Sequence, residues 1–63
     1  MRLSDLIEGD IILIDDGFTC VKAGKRRVYT DDEGLFFYCR EGKHYLDGQE
    51  DETGHLIGIL ERL

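Results

Sequence analysis

The sequence has no proline, and no run approaches the roughly 18 apolar residues that cross a membrane. Without proline, no segment lacks the backbone N–H that a β-strand needs. The opening residues, 1–5, do not have the pattern of a signal peptide. We therefore expect a protein with no membrane association and a cytoplasmic location.

Basic residues are also few. Eight Lys and Arg stand against fourteen Asp and Glu, which gives a net charge of −6. A chain of this sign repels phosphate groups at long range, so nonspecific binding to nucleic acid is disfavoured.

Cysteine is limited to Cys20 and Cys39, whereas a small secreted scaffold usually carries four or more. We predict two reduced, buried thiols, with a Cys20–Cys39 disulfide as the alternative if their strands are neighbours. His44 and His55 complete a set of four potential zinc ligands, but no C-x2-C pair is present. Cys39 and His44 are also the one thiol–imidazole pair that could serve catalysis. We expect neither a metal nor a cofactor, and no enzymatic activity.

Turn-forming glycines divide the chain at intervals of six to ten residues, with short β-branched and aromatic stretches between them. This pattern predicts one all-β domain over residues 1–63, either a small SH3-like barrel or a strongly bent antiparallel sheet of five to six strands. One short N-terminal helical turn is expected, with Ser4 as its cap and with Leu3 and Ile7 facing inward. The predicted strands are 10–15, 18–23, 26–31, 35–40, 43–47 and 55–61.

Alternation with a period of two selects the side chains that face the core. The predicted core consists of Ile12, Ile14, Phe18, Cys20, Val28, Leu35, Phe37, Cys39, Leu46, Ile57 and Ile59.

Three of the predicted strands, 10–15, 35–40 and 55–61, carry apolar residues on both faces. A sheet with one face in water needs apolar residues on its other face only. The outward side chains of these strands would form an uncovered apolar patch, and such a patch marks an interface. We therefore predict a homodimer, or a contact with another protein, through the same patch. The patch consists of Ile11, Leu13, Phe36, Tyr38, Leu56 and Leu60.

The only basic segment is 22–27, and an aromatic residue follows it closely. Basic side chains beside a stacking ring suit a single-stranded nucleic acid. The alternative function is therefore a nucleic-acid-binding barrel that uses Lys25, Arg26, Arg27 and Tyr29.

The stretch from Gly9 to Gly24 resembles the opening of a KOW-type SH3-like barrel. That family begins with Gly-Asp, places β-branched residues two and four positions after the Asp, and closes the turn with glycine. Ile12, Ile14 and Gly17 stand at those places here. The resemblance implies a small barrel and contacts with RNA, ribosomes or polymerase, whereas the acidity of this chain departs from the basic character of the family.

The function that these features favour is a non-enzymatic protein-interaction module. We expect a small acidic accessory protein of bacterial or phage type. The sequence identifies neither its partner nor its pathway.

Overall fold

A computed structural model of the protein describes residues 1–15 and 22–63. A 3-10 turn spans Leu3–Asp5, and the described residues form six strands. No helix among them is long and apolar enough to cross a membrane. The strands are β1 (Ile11–Ile14), β2 (Gly24–Arg27), β3 (Tyr29–Asp31), β4 (Gly34–Cys39), β5 (Gly42–Tyr45) and β6 (Ile59–Arg62).

The strands form two antiparallel sheets, with the orders β2-β1-β6 and β3-β4-β5. This confirms an all-β fold with one short N-terminal turn. The two sheets do not join into a closed barrel in the part of the chain that the structure describes, because β5 pairs only with β4 and β6 only with β1. Most of the predicted strand 18–23 lies outside the described residues.

Val28 is the point at which the chain passes from the first sheet to the second. Its N–H donates to the carbonyl of Asp10, and its carbonyl accepts from the N–H of Gly9, both at 2.8 Å. Gly9 has a φ of +95°, which favours glycine. The Val28 side chain is fully buried. Core packing and the two backbone hydrogen bonds therefore fix the chain where it passes between the sheets.

The core lies between the two sheets and confirms most of the predicted positions. The predicted residues Leu35 and Cys39 are half-buried and pack against it, while Phe18 and Cys20 lie outside the described residues. The buried cluster consists of Leu6, Ile12, Ile14, Val28, Phe37, Leu46, Leu56 and Ile59.

Ile57 is a wrong prediction, since 41% of it is exposed. The predicted strand 55–61 begins at Ile59, and before it only isolated bridges at His55 and Leu56 form. Gly58, with a φ of +76°, breaks the two-residue alternation there. Leu56 is consequently buried in place of Ile57.

In the N-terminal turn, too, the buried residue is the neighbour of the predicted one. Three residues per turn bring Leu6 above Leu3, and the N–H of Leu6 donates to the carbonyl of Leu3 at 3.0 Å. Leu6 is therefore buried, and Ile7 is 68% exposed. Ser4 lies inside the turn and is not its cap, contrary to the prediction. The cap position is Arg2, whose backbone N–H donates to the carboxylate of Asp5.

Cys39 is disulfide-bonded, which contradicts the prediction of a reduced thiol at this position. Its half-buried place at the end of β4 agrees with the predicted burial. The other cysteine of the sequence, Cys20, lies outside the described residues.

Candidate functional site

The outer face of the sheet β3-β4-β5 carries a group of aromatic side chains. Directly opposed residues of antiparallel strands project to the same face. Phe36 on β4 is opposite Tyr29 on β3 and opposite Tyr45 on β5. Tyr38 lies two positions further along β4, on the same face. These four rings are called the aromatic platform below.

The rings of the aromatic platform contact one another. The centroid of Phe36 is 5.8 Å from that of Tyr29, 5.3 Å from that of Tyr38 and 5.4 Å from that of Tyr45. Tyr29 and Tyr38 meet edge to face at 5.2 Å. Phe36 is 3% exposed beneath its neighbours, whereas Tyr29 is 36% and Tyr38 53% exposed. The tyrosine rings therefore present apolar surface to the solvent from positions fixed by mutual contact.

A polar network holds one side of the aromatic platform. The Lys43 ammonium lies 4.7 Å from the centroid of Phe36 and donates to Oδ2 of Asp31 at 2.9 Å. The Tyr45 hydroxyl donates to the same oxygen at 2.5 Å. Asp31 thereby joins β3 to β5 across β4.

This network shifts the ionisation of its members. The hydrogen bond from Tyr45, followed by that from Lys43, lowers the pKa of Asp31 to about 2. The carboxylate in turn raises the pKa of Tyr45 to about 12 and raises the pKa of Lys43. At neutral pH, Asp31 and Lys43 are therefore charged and Tyr45 keeps its proton.

A shallow depression of about 350 Å³ lies beside this network. It is bounded by the β3–β4 turn, where Asp32 and Glu33 are exposed. No ion pair of these two carboxylates is found within the described residues. Asp31, Asp32 and Glu33 are called the acidic border below.

Positive charge is exposed on β2, in the first sheet. Lys25 and Arg27 are exposed there at alternating positions, and Tyr29 follows them along the chain as the first residue of β3 in the second sheet. Lys25 and Arg27 are called the exposed basic pair below. Arg26 is not part of it, because its guanidinium donates to the carbonyls of Lys25 and Lys22, at 2.7 and 3.0 Å. Of the residues predicted to contact nucleic acid, the structure thus places Lys25, Arg27 and Tyr29 outward.

The residues predicted as one apolar interface are dispersed. Ile11 and Leu13 are half-buried on β1 in the first sheet, while Phe36 and Tyr38 lie on β4 in the second. Leu56 is buried in the core. Leu60, the sixth residue, lies on β6 in the first sheet. Self-association stays a prediction, but the continuous patch on which it rested is wrong.

Sequence reasoning missed Tyr45 and Lys43. The hairpin between β4 and β5 pairs Cys39 with Gly42 and so sets Phe36 opposite Tyr45. Counting outward from that turn would have found Tyr45, since hairpin register follows from loop length. The number of residues between Phe36, the turn and Tyr45 therefore contains the information that identifies Tyr45.

At the outer edge of β3, a side chain occupies one backbone N–H. The backbone N–H of Thr30 donates to Oε2 of Glu8 at 3.2 Å. A carboxylate that occupies an edge N–H blocks the addition of another strand at that position. Addition of a strand at the β3 edge is therefore blocked at Thr30, whereas the sheet face is exposed at Tyr29 and Tyr38.

The sequence also offers Cys39 and His44 as a thiol–imidazole pair and, together with Cys20 and His55, as potential zinc ligands. His44 stacks on Phe37 at 4.9 Å, and the disulfide at Cys39 leaves that residue without a nucleophilic thiolate. Across residues 1–15 and 22–63, no group of three or more His, Cys, Asp and Glu could hold a metal ion.

Comparisons with models of protein families, with curated proteins and with solved structures found no match. The fold and the surface define the class of the protein as a small all-β domain with an exposed aromatic sheet face. The resemblance to KOW-type barrels stays a prediction that rests on residues 9–24.

Proposed function

We propose that this protein is a non-enzymatic protein-interaction module that binds its partner through the aromatic platform. The observation that carries the proposal is the exposure of Tyr29 and Tyr38, at 36% and 53%, beside a buried Phe36. Tyrosine combines a large apolar ring with a polar tip and is enriched where proteins bind one another. An exposed group of such rings is the feature expected of an interface.

The rigidity of the aromatic platform supports the same proposal. Each ring contacts at least one other ring, and Lys43 is held over Phe36 by Asp31. Side chains that are already ordered lose little conformational entropy when a partner binds. The exposed tyrosines also lie on the face opposite Phe37, which fills the core, so the core does not depend on them.

The test is capture of a partner from the lysate of the cells that produce the protein. The immobilised parent chain is compared with Tyr38→Ala and with the control Ile7→Ala, which removes an exposed apolar side chain outside the aromatic platform. A protein retained by the parent chain and by Ile7→Ala, but lost from Tyr38→Ala, supports the proposal. Equal retention by all three chains contradicts it.

A second candidate function is the binding of single-stranded nucleic acid. Lys25 and Arg27 are exposed on β2, and Tyr29, two residues after Arg27 in the chain, has an exposed ring. Exposed basic side chains and an exposed ring are the groups that a phosphate backbone and a stacked base require. The acidic border and the net charge of −6 oppose it. We expect a single-stranded RNA to bind weakly at about 50 mM salt and not at about 200 mM. Tight binding at the higher salt that Arg27→Glu abolishes would favour this function instead.

A cytoplasmic location stays a prediction from the sequence. The disulfide at Cys39 counts against it, since disulfides persist in oxidising compartments.

A further inference from the structure

The shallow depression beside the aromatic platform has an excess of negative charge. Its lining contributes three carboxylates and one ammonium, that of Lys43, which is paired with Asp31. The charges of Asp32 and Glu33 are therefore unbalanced there, and neither has an ion pair within the described part of the chain. Exposed charges without a local counter-ion favour a binding partner of the opposite sign.

The depression is continuous with the exposed rings of the aromatic platform. Tyr45 lines the depression and contacts Phe36, at a centroid distance of 5.4 Å. Phe36 in turn contacts Tyr38 at 5.3 Å and Tyr29 at 5.8 Å. Lys43, which also lines the depression, is directly opposite Tyr38 in the register of β4 and β5. Acidic and aromatic groups are thus adjacent on one surface.

Lys43 shows how this surface holds a cation. Its ammonium lies 4.7 Å from the centroid of Phe36 and 2.9 Å from Oδ2 of Asp31. A ring face attracts a cation through its quadrupole, and a carboxylate adds a charge-assisted hydrogen bond. The exposed tyrosine rings and the exposed carboxylates present the same two kinds of group to a cation of another molecule.

We propose that the partner of the aromatic platform is a basic segment of another protein, which inserts a Lys or Arg side chain into the depression and packs apolar side chains on the exposed tyrosines. Two ring contacts, of 5.4 and 5.3 Å, separate Tyr45 from Tyr38. Because an extended chain advances about 3.3 Å per residue, the basic and apolar residues of the segment lie within about four positions of each other. This inference rests on the proposed function, because it names the partner of the same surface.

The charges favour this occupant over the alternatives. The net charge of −6 attracts a basic segment at long range, whereas it repels a nucleic acid or a second copy of this chain. A nucleic acid would also bring its phosphates to Asp32 and Glu33, which have the same sign. The exposed basic pair of a second copy could reach the depression only against the repulsion between two chains of equal net charge.

The experiment selects binders from a random-peptide phage library against the immobilised parent chain and against two variants of equal net charge. The variant Asp32→Asn/Glu33→Gln removes the two unbalanced carboxylates. The control Glu52→Gln/Glu61→Gln removes two exposed carboxylates that do not line the depression. We expect the parent chain and the control to enrich peptides with Lys or Arg within four positions of an aromatic or aliphatic residue. The Asp32→Asn/Glu33→Gln variant should lose this preference for Lys or Arg.

The affinity of one enriched basic peptide gives the quantitative test. Fluorescence anisotropy at about 50 mM salt should show a dissociation constant about fivefold or more higher for Asp32→Asn/Glu33→Gln than for the control variant. Tyr38→Ala should also weaken binding, because a ring of the contact is lost. Thermal unfolding of each variant shows that it is folded.

Three results would overturn the inference: enriched peptides without a preference for Lys or Arg, the same preference in Asp32→Asn/Glu33→Gln, or no enriched peptide. A parent chain that dimerises in sedimentation equilibrium, with the dimer lost in Tyr38→Ala, would overturn it in favour of a second copy. Uncharged or acidic peptides whose binding Tyr38→Ala abolishes would leave the proposed function standing without the basic partner. If Tyr38→Ala changes the binding of no enriched peptide, both proposals fail.

Discussion

Consecutive residues of β4 have opposite environments. Phe37 is fully buried and stacks on His44, whereas its neighbour Tyr38 is 53% exposed on the aromatic platform. Phe37 therefore contributes to the stability of the fold, whereas Tyr38 is available for binding.

We predict that Phe37→Ala lowers the free energy of unfolding by about 3–5 kcal/mol, because it removes a buried ring and leaves a cavity. Tyr38→Ala, the matched change on the other face, should lower it by about 1 kcal/mol, the contribution of its ring contacts. Urea denaturation measures both. Equal losses in the two variants would mean that the aromatic platform is part of the core.

Asp31 controls the ionisation of Tyr45. We predict that Asp31→Asn returns the pKa of Tyr45 from about 12 towards its ordinary value of 10.0, because the carboxylate that holds the phenolic proton is gone. Phenolate absorbance during a pH titration measures the change. Asp32→Asn is the control and should leave the high value in place. A Tyr45 pKa that stays near 12 in Asp31→Asn would contradict the network.

The carboxylate of Asp31 also makes the free energy of unfolding depend on pH in the acidic range. The pKa of Asp31 is about 2 in the folded chain and 3.8 as its ordinary value, so the unfolded chain binds the proton more readily between these values. The contribution of Asp31 is therefore complete above about pH 4 and is lost as the pH falls towards 2. Asp31→Asn should remove this part of the acid dependence.

The residues of the candidate site differ in how far the sequence could reveal them. Phe36 and Tyr38 follow from alternation along one strand, which is local information. The polar network of Asp31, Lys43 and Tyr45 depends on which strands become neighbours. Arg26 and Arg27 are adjacent and chemically equal, and only the fold separates the residue bonded to backbone carbonyls from the exposed one.

At the level of elements, the β4–β5 hairpin depends on one glycine conformation. Gly42 has a φ of +121°, and an added Cβ there would meet no atom within 4 Å. We predict that Gly42→Ala lowers the free energy of unfolding by about 1–3 kcal/mol through backbone strain alone. Gly48→Ala is the control, since Gly48 also has open space but no φ in the left-handed region. Equal stabilities of the two variants would contradict the hairpin geometry.

The disulfide at Cys39 restrains the end of β4. A disulfide typically stabilises a small domain by about 2–4 kcal/mol, mainly by restricting the unfolded chain. We predict that adding a reductant lowers the Tm by about 10 °C or more, as measured by circular dichroism. The Cys39→Ser variant should unfold at the lower temperature with or without reductant. A Tm of the parent chain that reduction does not change would favour the reduced thiols that the sequence predicts.

Strands made of continuous β-branched, apolar or aromatic residues were predicted to within one residue at each end, as β1 and β4 show. The stretch 26–31 was predicted as one strand but is divided at Val28, because its two halves pair with different sheets. The stretch 55–58 was predicted as strand, but Gly58 interrupts it. These boundaries are set by long-range pairing, which composition does not encode.

At the scale of the whole molecule, the chain uses one face of each sheet to build its core and leaves the aromatic face of the second sheet uncovered. The sequence predicted an all-β domain with surplus apolar side chains on its surface. It placed them in one patch because it could not tell that Leu56 turns inward, or that Ile11 and Phe36 belong to different sheets.

Site-specific photo-crosslinking tests the central claim, that the aromatic platform is the binding surface, most directly. The substitution Tyr38→p-benzoylphenylalanine places a photoreactive ring on the platform, and the same substitution at Ile7 places it at another exposed position. After irradiation in native lysate, we predict a discrete adduct from position 38, either with a second copy or with another protein, and none from position 7. Position 38 without an adduct, or the same adducts from both positions, would contradict the account.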